Sequence, residues 1–117
     1  MNLTLKEKMA CLFTIQALAD CDGRKNREEI EMLTRCSHVL GVKDDEVGII
    51  FDCSFMTLEE VVAIIKPMDK MKKVLLEECM KKIMEADGPA NEKEIGTWWG
   101  IQMQLDLPTW ISRKNDD

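Results

Sequence analysis

From Leu5 to Ala19 most positions are apolar or small, and the exceptions, Lys6, Glu7, Lys8, Thr14 and Gln16, do not line up as a continuous polar face. A helix over about Leu5 to Asp20 is therefore expected to be buried on most sides, as the central element of a helical fold. Between about Arg27 and Leu40 the pattern narrows to one stripe, Ile30, Leu33, Ser37 and Leu40, with the 3.6-residue period of a half-buried helix. Two more helices are predicted from about Met68 to Ala86 and from about Glu92 to Leu105. Pro67 suits the first turn of the former, and Pro108 stops the chain beyond the latter.

Two shorter helices are expected in between. Lys43-Asp44-Asp45-Glu46 reads as an acidic first turn leading into Val47 to Phe51, and Thr57-Leu58-Glu59-Glu60 is a capping box opening Val61 to Ile65. No run alternates well enough for a strand. The pattern predicts an all-α, single-domain helical bundle over residues 1–111, followed by a polar tail, 112–117.

The chain also aligns with itself. Asp22-Gly23-Arg24-Lys25-Asn26-Arg27-Glu28-Glu29-Ile30 matches Asp87-Gly88-Pro89-Ala90-Asn91-Glu92-Lys93-Glu94-Ile95 at a constant offset of 65 residues, with the shared pattern D-G-x-x-N-x-x-E-I. Flanking positions keep their character: Leu18 with Ile83, Leu33 with Trp98, Leu40 with Leu105. Two pseudo-repeated helix, acidic turn, helix units are therefore predicted, with the two short helices connecting them.

Charge and cysteine content narrow the function classes. A formal charge of −6 argues against broad attraction to nucleic acid or anionic membranes. Lys66, Lys70, Lys72, Lys73, Lys81 and Lys82 crowd one segment, but Glu77, Glu78 and Glu85 interleave with them, and Glu77 with Lys81 and Glu78 with Lys82 have the i,i+4 order of a solvated face. Five cysteines, an odd number without C-x-x-C spacing, suit reduced thiols packed as small hydrophobes and a cytoplasmic setting. Lys6 and Lys8 ahead of an apolar stretch ending Ala17-Leu18-Ala19 imitate a signal peptide. Glu7, Thr14 and Gln16 weaken the imitation, and cleavage would remove half of the first unit. No stretch has the roughly 18 to 20 apolar residues a membrane span needs.

Most of the repeated motif has a structural explanation. Gly23 and Gly88 suit left-handed helix ends; Asn26 and Asn91 suit caps of the next helix, with Glu29 and Glu94 three residues on completing capping boxes. The aspartates are less well explained, because Asp22 and Asp87, preceded by Asp20 and Glu85, put negative charge where the helix dipole disfavours it. A hard divalent cation such as calcium, magnesium or manganese would compensate, although the spacing is not that of an EF-hand. Arg24, Lys25 and Arg27 oppose a cation in the first loop.

An Ala-Asp-Gly-x5-Glu motif between two helices, present twice in an acidic all-helical domain, resembles the TerB family. That family is associated with tellurite resistance and bacterial stress responses, and its related domain occurs in DjlA-type co-chaperones. The second copy, Ala86-Asp87-Gly88 with Glu94, matches throughout; the first has Cys21 before Asp22-Gly23 and Glu29. The resemblance spans about Leu5 to Leu107. It implies a helical bundle in which Asp22, Glu29, Asp87 and Glu94 have a metal-binding or scaffolding role.

Enzyme chemistry finds little support. His38 is the only histidine, and Cys36, two residues away on the same helix, is expected to point elsewhere. No nucleophile elbow, phosphate loop or H-E-x-x-H motif is present. A protein partner is the better expectation. Trp98, Trp99 and Trp110 are the only tryptophans, and Trp98 and Trp99 stand about 100° apart on a helix, so both cannot face one core. Met56, Met68, Met71, Met80, Met84 and Met103 could fill gaps in the core or line an adaptable groove. Two readings stand side by side: a TerB-like stress-response domain using its acidic turns, with or without metal, and a non-catalytic interaction module in which those turns are only caps.

Overall fold

The chain enters its first helix through a capping box: Thr4 Oγ1 accepts the Glu7 N–H at 3.1 Å, and Glu7 Oε1 accepts the Thr4 N–H at 2.8 Å. Two donors that a helix start leaves orphaned are thereby satisfied. A computed structural model describes residues 2–20, 27–46, 48, 55–85 and 92–108. Among them run helices α1 (Leu5–Asp20), α2 (Arg27–Val39), α3 (Leu58–Ile65), α4 (Lys70–Met84) and α5 (Glu92–Leu105), with a 3-10 turn at Asp44–Glu46 and no strand. The all-α expectation holds. The acidic first turn is that 3-10 turn; of the predicted helix from Val47 to Phe51 only Gly48 is described, and it is helical, while the tail from Ser112 falls outside the described residues.

The other described helix starts also follow local chemistry. Thr57 and Glu60 form the predicted reciprocal box at the head of α3. Asp69 Oδ1 accepts the Lys72 N–H at 3.0 Å and caps α4, which therefore begins two residues later than the hydrophobic pattern suggested. Met68 is buried in the core instead, because a side-chain acceptor at Asp69 is worth more as a helix start than the apolar side chain before it.

The 65-residue offset survives in three dimensions. α1 and α4 start at equivalent positions, as do α2 and α5, and the caps Thr4 and Asp69 correspond. Inward-facing pairs such as Cys11 with Leu76, Ile15 with Met80 and Leu18 with Ile83 are all buried. The second helix of each unit ends in the same motif. The Gly41 N–H bonds the His38 carbonyl and the Val42 N–H bonds the Ser37 carbonyl; Asp106 with Met103 and Leu107 with Gln102 repeat the pattern. This is the six-to-one and five-to-two bonding of a Schellman turn, and Gly41 (φ 85°) and Asp106 (φ 56°) supply its left-handed residue.

Packing exchanges the partners between units. α1 is the central helix, contacting α2, α3, α4 and α5, while α2 also packs on α4, the first helix of the other unit, as α5 packs on α1. Reciprocal contacts of this kind describe an internal two-fold relation rather than a translational stack. Lys72 Nζ donates to Glu7 Oε1 at 2.9 Å, joining two equivalent residues and marking where the axis passes. Leu12, Ile15, Leu18, Ile65, Leu76, Met80 and Ile83 fill the space between, each burial favouring the folded state by about 1.5–3 kcal/mol. Truncating Ile15 to Ala would cost about 2–5 kcal/mol.

Three positions depart from the sequence pattern. Ile30, placed on the buried stripe of α2, is half exposed, and Cys36 takes its place in the core. Glu77 and Lys73, read as part of a solvated charged face, are buried, whereas Glu78, Lys81 and Lys82 are exposed as expected. The lysine stems explain part of this. Lys8 and Lys73 are equivalent and equally buried; Lys8 Cε lies 3.7 Å from where a Cβ on Gly41 would stand, and Lys73 Nζ donates to the Asp106 carbonyl at 3.1 Å. Each stem thus passes beneath the left-handed residue closing its own unit, where a cation favours the helix C-terminus. In the first unit the ammonium continues to Glu46 Oε1 at 2.8 Å.

Candidate functional site

The exposed side of α5 carries its apolar residues in a single row. Ile95, Trp99 and Met103 follow one another at four-residue spacing and so form one row, exposed by 38%, 48% and 57%. Trp98, one residue away, turns inward and packs against the core. The two adjacent tryptophans thus separate as their angular spacing demands, one anchoring the helix and one presented outward. Beside the row lie Gly96 and Gly100, again four apart, and a Cβ built on either meets no atom of the described residues within 4 Å. No charged residue occurs from Ile95 to Leu105.

The internal repeat supplies a control for this face. At the positions of α2 equivalent to Ile95, Gly96, Trp99, Gly100 and Met103 stand Ile30, Glu31, Thr34, Arg35 and His38. There the surface is ordinary: Arg27 Nε pairs with Glu31 at 3.2 Å, and Thr34 Oγ1 donates to the Ile30 carbonyl. The same scaffold thus tolerates charged and polar side chains, and the bare apolar surface of α5 is not required by the fold.

α5 is anchored from below. Gln102, fully buried, donates from Nε2 to Glu77 Oε2 at 3.2 Å, and its Oε1 is buried with no hydrogen-bond partner among the described residues. Leu105 and Leu107 close the helix end into the core, and Lys73 clamps the Asp106 carbonyl. A helix fixed on its inner side keeps the outer row in one orientation, the preorganisation that lowers the entropic cost of binding.

A second chemical feature lies inside the bundle. Cys11, Cys36 and Cys79, from α1, α2 and α4, are reduced and fully buried. The Cys36 Sγ–H donates to the Cys79 carbonyl at 3.7 Å, which places the two cysteines side by side between α2 and α4. The hydrogen bond from Cys79 lowers the Cys36 pKa, against opposing burial and with help from the Lys82 charge. The same bond, then burial, raises that of Cys79. Burial, then the charge of Glu7, pushes the Cys11 thiol up to about 12, so it stays protonated. His38 is exposed on the helix whose Cys36 is buried, so these two do not meet.

Of the residues singled out in the sequence, Asp22, Asp87 and Trp110 lie outside the described residues, as do the side chains of Glu29 and Glu94, whose backbones sit in the first turns of α2 and α5. Among the described residues no group of three or more His, Cys, Asp or Glu side chains could hold a metal ion, and no helix is long and apolar enough to cross a membrane. The predicted methionines divide: Met68, Met80 and Met84 fill the core, while Met71 and Met103 are exposed. The Gly96 and Gly100 pair was missed by pattern reading, although aligning α2 with α5 residue by residue exposes the Glu31 and Arg35 replacements.

No protein-family profile and no curated protein matches the chain. A solved structure does: that of a protein of unknown function from Porphyromonas gingivalis, with a TM-score of 0.81 at 24% identity, covering 99% of this chain and 96% of that one. At that identity the likeness establishes a shared fold over the whole chain.

Proposed function

We propose that this protein is a non-catalytic interaction module whose exposed α5 face receives one uncharged, apolar helix of a partner protein. The observation carrying this reading is the contrast between equivalent helices: Gly96, Trp99, Gly100 and Met103 stand where α2 has Glu31, Thr34, Arg35 and His38. Two mid-helix glycines cost about 0.5–1 kcal/mol each relative to Ala, and no neighbour among the described residues fills the space above them. Bare backbone beside an exposed aromatic lets another helix approach closely, with Trp99 as anchor. A neutral face on a chain of net charge −6 calls for an uncharged, apolar partner surface, not a basic one. The proposed setting is the cytoplasm, which keeps thiols such as Cys11, Cys36 and Cys79 reduced.

The test places a photocrosslinking residue at Met103 in the full chain, with the same residue at His38 as the α2 control. Adducts from Met103 alone, mapping to one partner helix at three- or four-residue spacing and lost in Trp99→Asp, would support the reading. Equal labelling from both positions would end it, and adducts only between copies of the chain would replace it with self-association.

A second reading rests on the repeat: the two D-G-x-x-N-x-x-E turns join helices starting at equivalent positions, so one motif serves both units. In that reading the chain is a TerB-like stress-response domain whose Asp22, Glu29, Asp87 and Glu94 take up a divalent cation. A cation at 100 times its dissociation constant should then stabilise the fold by about 2.7 kcal/mol, and Asp87→Asn should remove most of the gain. An unchanged midpoint in millimolar calcium, magnesium and manganese would eliminate it.

A further inference from the structure

We propose that Cys36 and Cys79 are a peroxide-oxidisable pair that closes to a disulfide joining α2 to α4. The two residues come from different repeat units, 43 positions apart, on helices that pack directly against each other. Cys36 Sγ lies 3.7 Å from the main-chain oxygen of Cys79, so the two residues are direct neighbours. Joining them requires the sulfurs to approach to about 2.05 Å, a side-chain adjustment between helices already in contact.

The two sulfurs are not equivalent, and their difference sets the order of events. Cys36, whose Sγ lies 3.7 Å from the main chain of Cys79 and whose pKa is lowered, is assigned as the first sulfur to react and Cys79 as the resolving thiol, an order that the two single variants test. In the first step the Cys36 thiolate attacks one oxygen of hydrogen peroxide. The O–O bond breaks, water leaves after taking up a proton, and Cys36 becomes a sulfenic acid. In the second, Cys79 sulfur attacks Cys36 sulfur, the S–O bond breaks, and the departing hydroxide takes the Cys79 proton to leave as water. The pair is oxidised by two electrons and one peroxide is reduced to two waters.

Burial selects the oxidant. Both sulfurs are sealed from solvent, which bars a bulky disulfide such as oxidised glutathione from the folded protein but admits a molecule the size of water during ordinary fluctuations. Cys11, the third core thiol, stays protonated and takes no part. The closed bond would tie the second helix of one unit to the first helix of the other, constraining a loop long enough to raise resistance to unfolding.

The experiment treats the full chain with hydrogen peroxide, removes the peroxide, unfolds the protein to alkylate the remaining thiols and maps the peptides. Exposed Met71 and Met103 act as an internal clock, because peroxide converts them to sulfoxides wherever it is present. The expected result is a crosslinked Cys36 and Cys79 peptide, reversed by dithiothreitol, in protein whose unfolding midpoint has risen. In Cys36→Ser, Cys79 should remain alkylatable, whereas in Cys79→Ser, Cys36 should progress to sulfinic acid. Both thiols still alkylatable once Met71 is fully oxidised, or a crosslink through other cysteines instead, would overturn the proposal. Should either variant fail to fold by circular dichroism, the peptide map of the natural chain decides alone.

Discussion

Glu7 and Lys72 occupy equivalent positions in the two units, carry opposite charge, and are bonded to each other at 2.9 Å across the internal axis. Burial pushes the Glu7 carboxyl up, but the hydrogen bonds from Lys72 and the Thr4 backbone and the Lys72 charge together bring it below its ordinary value of 4.5. A carboxylate whose pKa is lower folded than unfolded stabilises the native state above the unfolded pKa, and that contribution is lost as pH falls through the folded one. For Lys72, raised from 10.5 first by its bond to Glu7, the contribution is complete below that value and disappears as pH climbs through the folded pKa. Glu7→Gln should therefore flatten the acid limb of stability below about pH 4.5. Urea midpoints measured from pH 3 to pH 7 that fall equally steeply in both proteins would refute this.

Gly41 and Asp106 hold the same left-handed position with different chemistry, which sets up a paired prediction. Gly41→Ala should destabilise the protein by about 1–2 kcal/mol from backbone strain alone, since the new Cβ would make only ordinary contact with Lys8. Asp106→Gly should act oppositely, relieving strain and stabilising by up to about 1 kcal/mol. Thermal midpoints moving in the same direction would show that the two turns are not equivalent.

The helices were legible because their causes are local. Thr57 to Glu60 announced a capping box, the 65-residue offset announced the repeat, and the apolar girth of Leu5 to Ala19 announced a central helix. What escaped depended on which unit packs against which. Ile30 fits the helical stripe of α2, yet α2 leans on α4 as well as α1, and that rotates Cys36 inward and Ile30 out. Glu77 has the spacing of a solvated residue but is buried and accepts a hydrogen bond from Gln102 of α5. The α5 face was half legible. Adjacent Trp98 and Trp99 required one to point outward, but which one follows from tertiary packing. The acidic turns fall outside the described residues, so their aspartates rest on the motif itself.

Glu77 and Gln102 stand where the first unit has Leu12 and Ser37, so this buried polar contact is particular to the second unit. Gln102→Ala should cost about 1–3 kcal/mol, because the buried Glu77 carboxylate loses the hydrogen bond from Gln102 and a cavity is left. Replacing both residues with Leu should cost less than the two single Leu variants added together, since neither polar group is then left facing an apolar one. A double-mutant cycle in urea with no coupling would show that the contact does not contribute to holding α5 on α4.

The α5 face makes a prediction in which stability and function part company. Trp98 is packed on the core and Trp99 is half exposed, so Trp98→Ala should destabilise the protein by about 3–5 kcal/mol and Trp99→Ala by much less. Gly96→Ala and Gly100→Ala should each stabilise it by about 0.5–1 kcal/mol, because the added methyl meets no neighbour and alanine favours the helix interior. If the bare backbone is there to admit a partner helix, those same methyls stand in the contact. The Gly96→Ala, Gly100→Ala protein should then melt later yet lose crosslinking from Met103 to its partner, as should Trp99→Ala. Glu31→Ala and Arg35→Ala, the equivalent changes on α2, should leave crosslinking intact. A glycine variant that gains stability and still crosslinks as well as the natural chain would show that the glycines serve no docked helix.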